Sequence, residues 1–210
     1  MQMSKYEWRK HAKELYLPKQ KPNLIAVPEM KFFTIKGKGN PNSESFKQDI
    51  ETLYGLSYAI RMMPKKGLTP EGYFEYTVFP LEGHWDLELD YLNKDHLVYK
   101  LMIRQPDFVT DELFDYAVNT VKNKKAPHNI DDVKFESITE GLCVQAMHIG
   151  SFDDEPKTFE VMEQFCMDNN LDRAEKTHKE IYISDFRRTA TEKLKTVLRF
   201  KVMKIWYVIS

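Results

Sequence analysis

A repeated order of predicted elements constrains the fold of this chain more than any other feature of the sequence. In the first half, a predicted strand over residues 32–36 leads through a turn into a helix over residues 45–61. In the second half, a strand over residues 142–149 leads through a turn into a helix that begins near Pro156. Two strand-like segments follow each helix. The pattern predicts an α+β fold in which duplicated βαββ units form one pseudo-symmetric, mainly antiparallel sheet, with helices on one face and a ligand groove between the halves on the other.

The remaining predicted elements suggest how the chain is divided. They are strands over residues 72–79, 97–104, 175–184 and 196–202, and helices over 4–16 and 108–124. The first helix begins with Ser4-Lys5-Tyr6-Glu7, which matches a capping box. We predict an N-terminal helix and linker over residues 1–27 and one domain over 28–210, with half-repeats of about 28–125 and 130–210.

Composition and charge narrow the class of function. A hydrophobic content of 42% and a charged content of 30% in 210 residues are typical of a soluble globular protein. The formal net charge of −1 gives no electrostatic reason to expect nucleic acid as a partner. No run approaches the roughly 20 apolar residues of a membrane helix, and the first residues lack a signal peptide's apolar segment. Cys143 and Cys166 have no redox or metal spacing and suggest buried thiols. We therefore expect a cytoplasmic protein with no nucleic-acid or membrane partner.

Several common catalytic motifs are absent from the sequence. It contains no Gly-x-Ser-x-Gly, Walker or His-Glu-x-x-His motif. The turn over residues 37–41 contains two glycines but completes no phosphate-binding pattern. The six histidines are scattered without metal-ligand spacing. The sequence therefore predicts neither a metal nor a cofactor.

The segment over residues 178–185 offers a candidate functional group. Its side chains alternate, which places Ile181 and Ile183 on one strand face and Glu180 and Tyr182 on the other. If the second face lines an apolar cleft, Glu180 is a candidate general base or a counter-ion for a cationic ligand. The simpler interpretation is a solvated strand face that carries a harmless glutamate.

Aromatic residues in the first half could complete such a cleft. Phe74 and Tyr76 share a face of the predicted strand over 72–79, and Glu82 and Trp85 follow on a predicted connecting loop. Aromatic walls would stack on a flat ligand, and desolvation would make a carboxylate reactive. Alternatively, the aromatic side chains fill the core. Both interpretations remain open for Phe74, whereas the position of Trp85 beside Gly83 favours the cleft.

The order and spacing of several short segments resemble the GyrI-like small-molecule-binding family. These segments are Lys-Phe-Phe-Thr-Ile-Lys-Gly at 31–37, Pro-Leu-Glu-Gly-His-Trp at 80–85, His-Ile-Gly-Ser-Phe-Asp-Asp-Glu-Pro at 148–156, His178 to Asp185, and Arg-Arg-Thr-Ala at 187–190 through Leu-Arg at 198–199. The resemblance spans residues from about 28 to 201. One departure is Phe186, which stands where the family pattern leads us to expect a proline after Ser-Asp.

This resemblance implies a fold and a set of site residues. The fold is a duplicated βαββ (SHS2-type) domain with an aromatic-lined central cleft and a buried glutamate that matches Glu180. The catalytic residues expected here are Glu180 and Tyr182, and the substrate-binding residues are Trp85, Tyr76, Phe74, Glu82 and His148.

The resemblance also implies a function. Family members fused to a DNA-binding module sense drugs, but the roughly 27 residues before this domain are too few for a helix-turn-helix. Some stand-alone members hydrolyse cyclopropane-bearing DNA-alkylating natural products and so protect the cell. The alternative is a module that binds or sequesters flat, often cationic, xenobiotics without chemistry. Inhibition of a protein partner such as gyrase has no support in this sequence.

Overall fold

Antiparallel strands form the framework of the molecule. The computed structural model describes residues 5–86, 97–125, 127 and 129–205. Within them, the strands are β1 (Asn23–Lys38), β2 (Leu81–Asp86), β3 (Val98–Gln105), β4 (Lys134–Ile149), β5 (Leu171–Arg173), β6 (His178–Tyr182) and β7 (Lys195–Lys204). The helices are α1 (Trp8–His11), α2 (Lys13–Tyr16), α3 (Glu44–Arg61), α4 (Asp111–Lys124) and α5 (Glu155–Asp168). The predicted α+β class with a mainly antiparallel sheet is confirmed.

Six of the strands close into a barrel. Their order is β4-β1-β3-β2-β6-β7, every neighbouring pair is antiparallel, and β7 also pairs with β4. The short strand β5 extends the sheet beyond β7. The order of elements is β1-α3-β2-β3-α4 in the first half and β4-α5-β5-β6-β7 in the second. The strands β2 and β6 join the halves on one side of the barrel, and the pairs β1–β4 and β4–β7 complete the ring.

The helices α3 and α5 cover the outer face of this barrel. Ser43 caps α3 by accepting a hydrogen bond from the backbone N–H of Phe46 (3.3 Å). Phe46 and Leu53 of α3 belong to the same buried cluster as Trp85 and Leu101 of the sheet. A second cluster packs α5 against β4 and β7. The sequence pattern suggested a cleft on the face opposite the helices. Because Trp85 and Glu180 point to the helix-covered face, the candidate cleft lies on that face instead.

The predicted strand over residues 72–79 is wrong. In this segment Tyr76 makes one isolated bridge to Tyr6, and the strand of this region is β2, which was expected to be a loop. The alternating aromatic residues instead pack around one another: the ring centroid of Tyr76 lies 6.0 Å from that of Phe74 and 6.1 Å from that of Phe108. Contacts between side chains distant in sequence therefore override the local alternation.

The N-terminal segment also differs from its prediction. In place of one helix over residues 4–16, two four-residue helices meet at Ala12, and Ser4 of the expected capping box lies outside the described residues. The carbonyl oxygens of Glu14 and Leu15 accept hydrogen bonds from Gln145 (2.7 Å) and Arg199 (2.6 Å), so they are tied to the barrel and do not continue a helix. The strand β1 begins at Asn23, before the predicted start of the domain at residue 28.

Charged side chains occupy the inner face of the barrel. Lys179 of β6 is 4% exposed, and its Nζ lies 2.9 Å from Oε2 of Glu82 and also contacts Glu140. Arg199 lies 3.8 Å from Glu140 on the other side. Burial opposes the charge on Lys179, but Glu82 and Glu140 outweigh it and raise the pKa of its amine. Likewise, Lys179 and Arg199 outweigh the effect of burial and lower the pKa of Glu140. The positive charges of Lys179 and Arg199 therefore balance the negative charges of Glu82 and Glu140 inside the barrel.

The described helices show no membrane-spanning character: none combines the length and the apolar composition that crossing a bilayer requires.

Candidate functional site

A cavity of about 340 Å³ opens on the helix-covered face, where β2 meets β6. Its aromatic walls come from both halves of the chain, and Glu180 contributes a carboxylate. The two turns that precede α3 and α5 contribute further residues. The lining residues are Pro41, Asn42, Phe46, Trp85, Leu97, Ser151, Phe152, Asp153, His178, Glu180, Tyr182 and Phe186. The volume and the mixture of aromatic and polar groups suit a small organic ligand.

A short series of hydrogen bonds fixes the carboxylate of Glu180. The indole Nε1–H of Trp85 donates to the hydroxyl of Tyr182 (3.1 Å), and that hydroxyl donates to Oε2 of Glu180 (2.8 Å). The other oxygen, Oε1, lies 3.1 Å from Nε2 of His178. The side chain of Glu180 is 12% exposed. The carboxylate is therefore largely desolvated, and both of its oxygens have partners.

The closeness of Trp85 and Tyr182 depends on Gly83. A Cβ atom at this position would lie 2.8 Å from Nε1 of Trp85 and 3.0 Å from the hydroxyl of Tyr182. The register explains this, because Gly83 lies opposite Glu180 on the neighbouring strand and between the two aromatic side chains. A residue without a side chain leaves the space in which the hydrogen bond forms.

A second carboxyl group lies beside Glu180. Glu155, the first residue of α5, is 6% exposed. One carboxyl oxygen each of Glu155 and Glu180 and one ring nitrogen of His178 all lie within 4.8 Å of one another. Burial raises the pKa of the Glu155 carboxyl, and the charge of Glu180, a hydrogen bond to it and the charge of Asp153 raise it further. These effects favour the protonated form of Glu155.

The phenol of Tyr182 stays neutral. Burial raises its pKa, and the negative charge of Glu180 and the hydrogen bond to it act in the same direction. The hydrogen bond from Trp85 opposes these effects without outweighing them. Tyr182 therefore serves as a hydrogen-bond donor to Glu180 and not as a phenolate.

The structure brings together three of the predicted site residues. Trp85, Glu180 and Tyr182 line one cavity and form one hydrogen-bonded series. Tyr76 and Phe74 lie elsewhere, in the aromatic cluster beside the N-terminal segment, and neither lines the cavity.

The other two predicted residues also lie outside the cavity lining. Glu82 is fully buried on the inner face of the barrel with Lys179, because successive residues of β2 point to opposite faces. His148 is 4% exposed, and its ring nitrogens bond to Thr158 (2.8 Å) and to the carbonyl of Ser151 (2.9 Å). It holds the turn whose next residues form a cavity wall.

Sequence reasoning missed several residues of the site. Glu155 was seen only as part of a helix start, and its approach to Glu180 depends on how α5 packs against β6. Phe152 lies with its ring centroid 6.0 Å from that of Tyr182, and Phe186 does the same. The equivalence of the two strand-to-helix turns could have pointed to Pro41 and Phe152, since both turns reach the cavity. Phe186, where a proline was expected, adds an aromatic wall.

A larger groove of about 670 Å³ lies between α3 and α4. Lysines line its edges, among them Lys65, Lys66, Lys124 and Lys125, and Val121 and Ala59 contribute apolar surface. No buried carboxylate or hydrogen-bonded series comparable to that of Glu180 is among its described lining residues. The smaller cavity is therefore the candidate functional site.

A family comparison agrees with this architecture. The profile of the GyrI-like small molecule binding domain matches residues 20–203, which is most of the chain. The chain belongs to the GyrI-like family. No curated protein sequence was found to match this GyrI-like chain.

Solved structures similar to this GyrI-like domain include two from Listeria innocua that are described as hydrolases. They are 37% and 36% identical to this chain, with TM-scores of 0.90 and 0.88, and each match covers 95% of this chain and 100% of the other. The EcmrR C-terminal domain is 18% identical with a TM-score of 0.58, and the match covers 91% of this chain and 99% of that one. The last similarity concerns the fold.

Proposed function

We propose that this GyrI-like domain binds flat, hydrophobic small molecules in the cavity and hydrolyses reactive cyclopropane-bearing genotoxins, which protects the cell. The observation that carries the proposal is the carboxylate of Glu180, held by Tyr182 and His178 at the wall of an aromatic cavity. The description of two similar Listeria innocua structures as hydrolases supports a hydrolytic reaction.

The reaction follows from the position of Glu180. A cyclopropane conjugated to a dienone stacks against Trp85 and Phe152, with its strained ring toward the carboxylate. Glu180 takes a proton from a water molecule as the water oxygen attacks a ring carbon. One carbon–oxygen bond forms and one ring carbon–carbon bond breaks. The released electron pair converts the dienone into a phenolate, which takes a proton from solvent, and Glu180 returns its proton to solvent.

Tyr182 orients the base in this mechanism. A phenol in the catalytic role expected of Tyr182 would donate a hydrogen bond to the developing oxyanion of the substrate. In the structure its hydroxyl donates to Glu180 and accepts from Trp85. We therefore propose that Tyr182 holds the carboxylate in place. The indole ring of Trp85 stacks on the ligand, and its N–H group holds the hydroxyl of Tyr182.

The test is mass spectrometry of a duocarmycin-type cyclopropane compound incubated with catalytic amounts of protein. We expect a product that has gained one water molecule, formed over many turnovers. Glu180→Gln keeps the shape of the side chain but removes the base, so turnover should fall by about 10²–10⁴-fold while ligand binding persists. Glu160→Gln, an exposed change on α5, is the matched control. Hydrolysis that continues unchanged in Glu180→Gln would exclude Glu180 as the base.

The alternative function is binding without chemistry. The described residues that line the cavity include no lysine or arginine, and Glu180 supplies a carboxylate there. This favours organic cations with aromatic rings. In this case the cyclopropane compound is recovered unchanged, protection is stoichiometric with protein, and a positively charged ligand binds more tightly than a neutral one of the same shape.

A further inference from the structure

We propose that Glu155 shares one proton with Glu180, and that an organic cation entering the cavity drives this proton into solvent. Ligand binding is then coupled to proton release, with two buried carboxylates left to balance the charge of the ligand. The inference rests on the proposed function in one respect: it takes the cavity as the ligand site.

The geometry places two carboxyl groups where only one charge is readily held. Glu155 is 6% exposed, and its Oε1 atom has no hydrogen-bond partner among the described residues. One of its carboxyl oxygens lies within 4.8 Å of a ring nitrogen of His178 and of a carboxyl oxygen of Glu180. A buried polar atom without a partner is costly, and two adjacent buried carboxylates repel each other. Both costs fall when one of the two groups carries a proton.

The groups that face Glu155 do not supply a fixed positive charge. From β6 these are His178, Glu180 and Tyr182, and from the preceding turn Asp153. Tyr182 is neutral and Asp153 adds to the negative charge. The basic residues of the inner network lie on the opposite face of the sheet. A cation in the cavity is therefore the charge that this cluster lacks.

A proton fits the cluster better than a divalent metal. Both oxygens of Glu180 already have partners, His178 at 3.1 Å and Tyr182 at 2.8 Å. A metal bound through Nε2 of His178 would displace the contact of that nitrogen with Glu180, whereas a proton on Glu155 leaves both contacts intact. Glu155 is thus a positioning residue: it sets the charge of the pair and acts on the ligand through Glu180.

Proton release can be measured by isothermal titration calorimetry. The probe is N-methylacridinium, a flat ligand with a fixed positive charge, titrated in buffers of different ionisation enthalpy. We expect about one proton released for each ligand bound, and an affinity that rises about tenfold per pH unit between about pH 6 and about pH 8. Acridine, uncharged at the upper end of this range, has the same flat ring system and should bind there without proton release.

Two variants separate Glu155 from a general effect of charge. Glu155→Gln cannot release a proton, so both the released proton and the pH dependence of affinity should disappear. Glu160→Gln removes an exposed charge from the same helix and should behave as the unchanged protein. Proton release that persists in Glu155→Gln, or that is absent from the unchanged protein while the cation binds, would overturn the inference.

An infrared measurement tests the shared proton without a variant. The unchanged protein should show the carbonyl stretch of a protonated carboxyl group at about pH 7.5, well above the usual carboxyl pKa. Addition of N-methylacridinium should bleach this band. If the band is absent, the shared proton is refuted. If the band is present but neither acridine compound binds, the coupling to a cation fails, whereas the proposed function is decided separately by the hydrolysis assay.

Discussion

The space beside Gly83 determines how closely Trp85 approaches Tyr182. Those two side chains meet at 3.1 Å because Gly83, which lies between them, has no Cβ atom. The same hydroxyl of Tyr182 then reaches Glu180. A glycine that is not among the cavity-lining residues therefore affects the position of the proposed base.

Replacing this glycine should damage the site more than the fold. In Gly83→Ala the new methyl group must displace the indole or the phenol, since it would lie 2.8 Å from Nε1 of Trp85. We expect turnover to fall about tenfold to a hundredfold, as misplacement of a base by a fraction of an ångström does. Steady-state kinetics and thermal unfolding would measure the two effects.

The matched control is Gly55→Ala in α3. A Cβ atom there would lie 3.7 Å from Val121, which is ordinary contact, and alanine in a helix interior is about 1 kcal/mol more favourable than glycine. This variant should keep full activity with equal or higher stability. Equal activity in Gly83→Ala and Gly55→Ala would contradict the role of Gly83.

At the scale of the elements, β2 and β6 each present different chemistry on their two faces. The outer face carries Trp85 and Glu180 into the cavity, and the inner face carries Glu82 and Lys179 into the barrel. The two faces therefore differ in role: the outer one forms the proposed ligand site, and the inner one balances buried charge.

Breaking the inner network should destabilise the barrel. Lys179→Met leaves Glu82 without a counter-ion, because the carboxylate oxygens of Glu82 have no hydrogen-bond partner among the described residues and their ion pair is with Lys179. We expect a loss of about 3–5 kcal/mol in the free energy of unfolding, the cost of an uncompensated buried charge. Urea unfolding would measure it.

Two further variants show whether this loss comes from charge. Adding Glu82→Gln to Lys179→Met removes the orphaned carboxylate, while Glu140 keeps Arg199, so part of the stability should return. Lys47→Met breaks an exposed pair with Glu44 and should cost no more than about 1 kcal/mol. If Lys179→Met is as mild as Lys47→Met, the inner network does not hold the barrel together.

The elements also show what the sequence could and could not predict. The helices α3 and α4 were found to within a few residues, because their apolar stripes are local signals, and in the structure their N-caps are Ser43 and Thr110. The strand β2 was missed, since Pro80 and Gly83 look like a loop. Its identity as a strand comes from pairing with β3 and β6, which no local pattern contains.

The candidate site followed the same division. Glu180 and Tyr182 were predicted from period two within one strand, and Trp85 from its place beside a glycine. Glu155 was not found, because its approach to Glu180 joins a helix start to a strand more than twenty residues later in the sequence. Conversely, Glu82 was placed in the cleft because it is near Trp85 in sequence. Strand residues alternate between faces, so two residues three positions apart point to opposite faces.

At the scale of the whole molecule, the buried carboxyl pair links the stability of the fold to pH. The pKa of Glu155 is raised in the folded protein, whereas in the unfolded chain it has the ordinary carboxyl value of 4.5. The folded state therefore holds a proton that the unfolded state loses above that value. The contribution to stability is complete at low pH and is lost as pH rises.

Replacing Glu155 with a residue that does not titrate should remove this loss of stability at high pH. Glu155→Gln mimics the protonated acid, so its stability relative to the unchanged protein should increase with pH, by at most about 1.4 kcal/mol per pH unit. Chemical unfolding of both proteins at about pH 6 and about pH 8 measures the difference. A difference that is the same at both values would show that Glu155 does not retain its proton on folding.

The junction of β2 and β6 has a consequence for how the protein is made. Trp85 and Tyr182 are separated by 97 residues along the chain, so on the ribosome the first half of the cavity is synthesised long before its partner exists. Contacts of such long range form late and slowly. A nascent chain that ended before β6 would expose the unpaired edge of β2 and the aromatic surface around Trp85. Chaperones would therefore be needed most in the interval between the synthesis of β2 and the synthesis of β6.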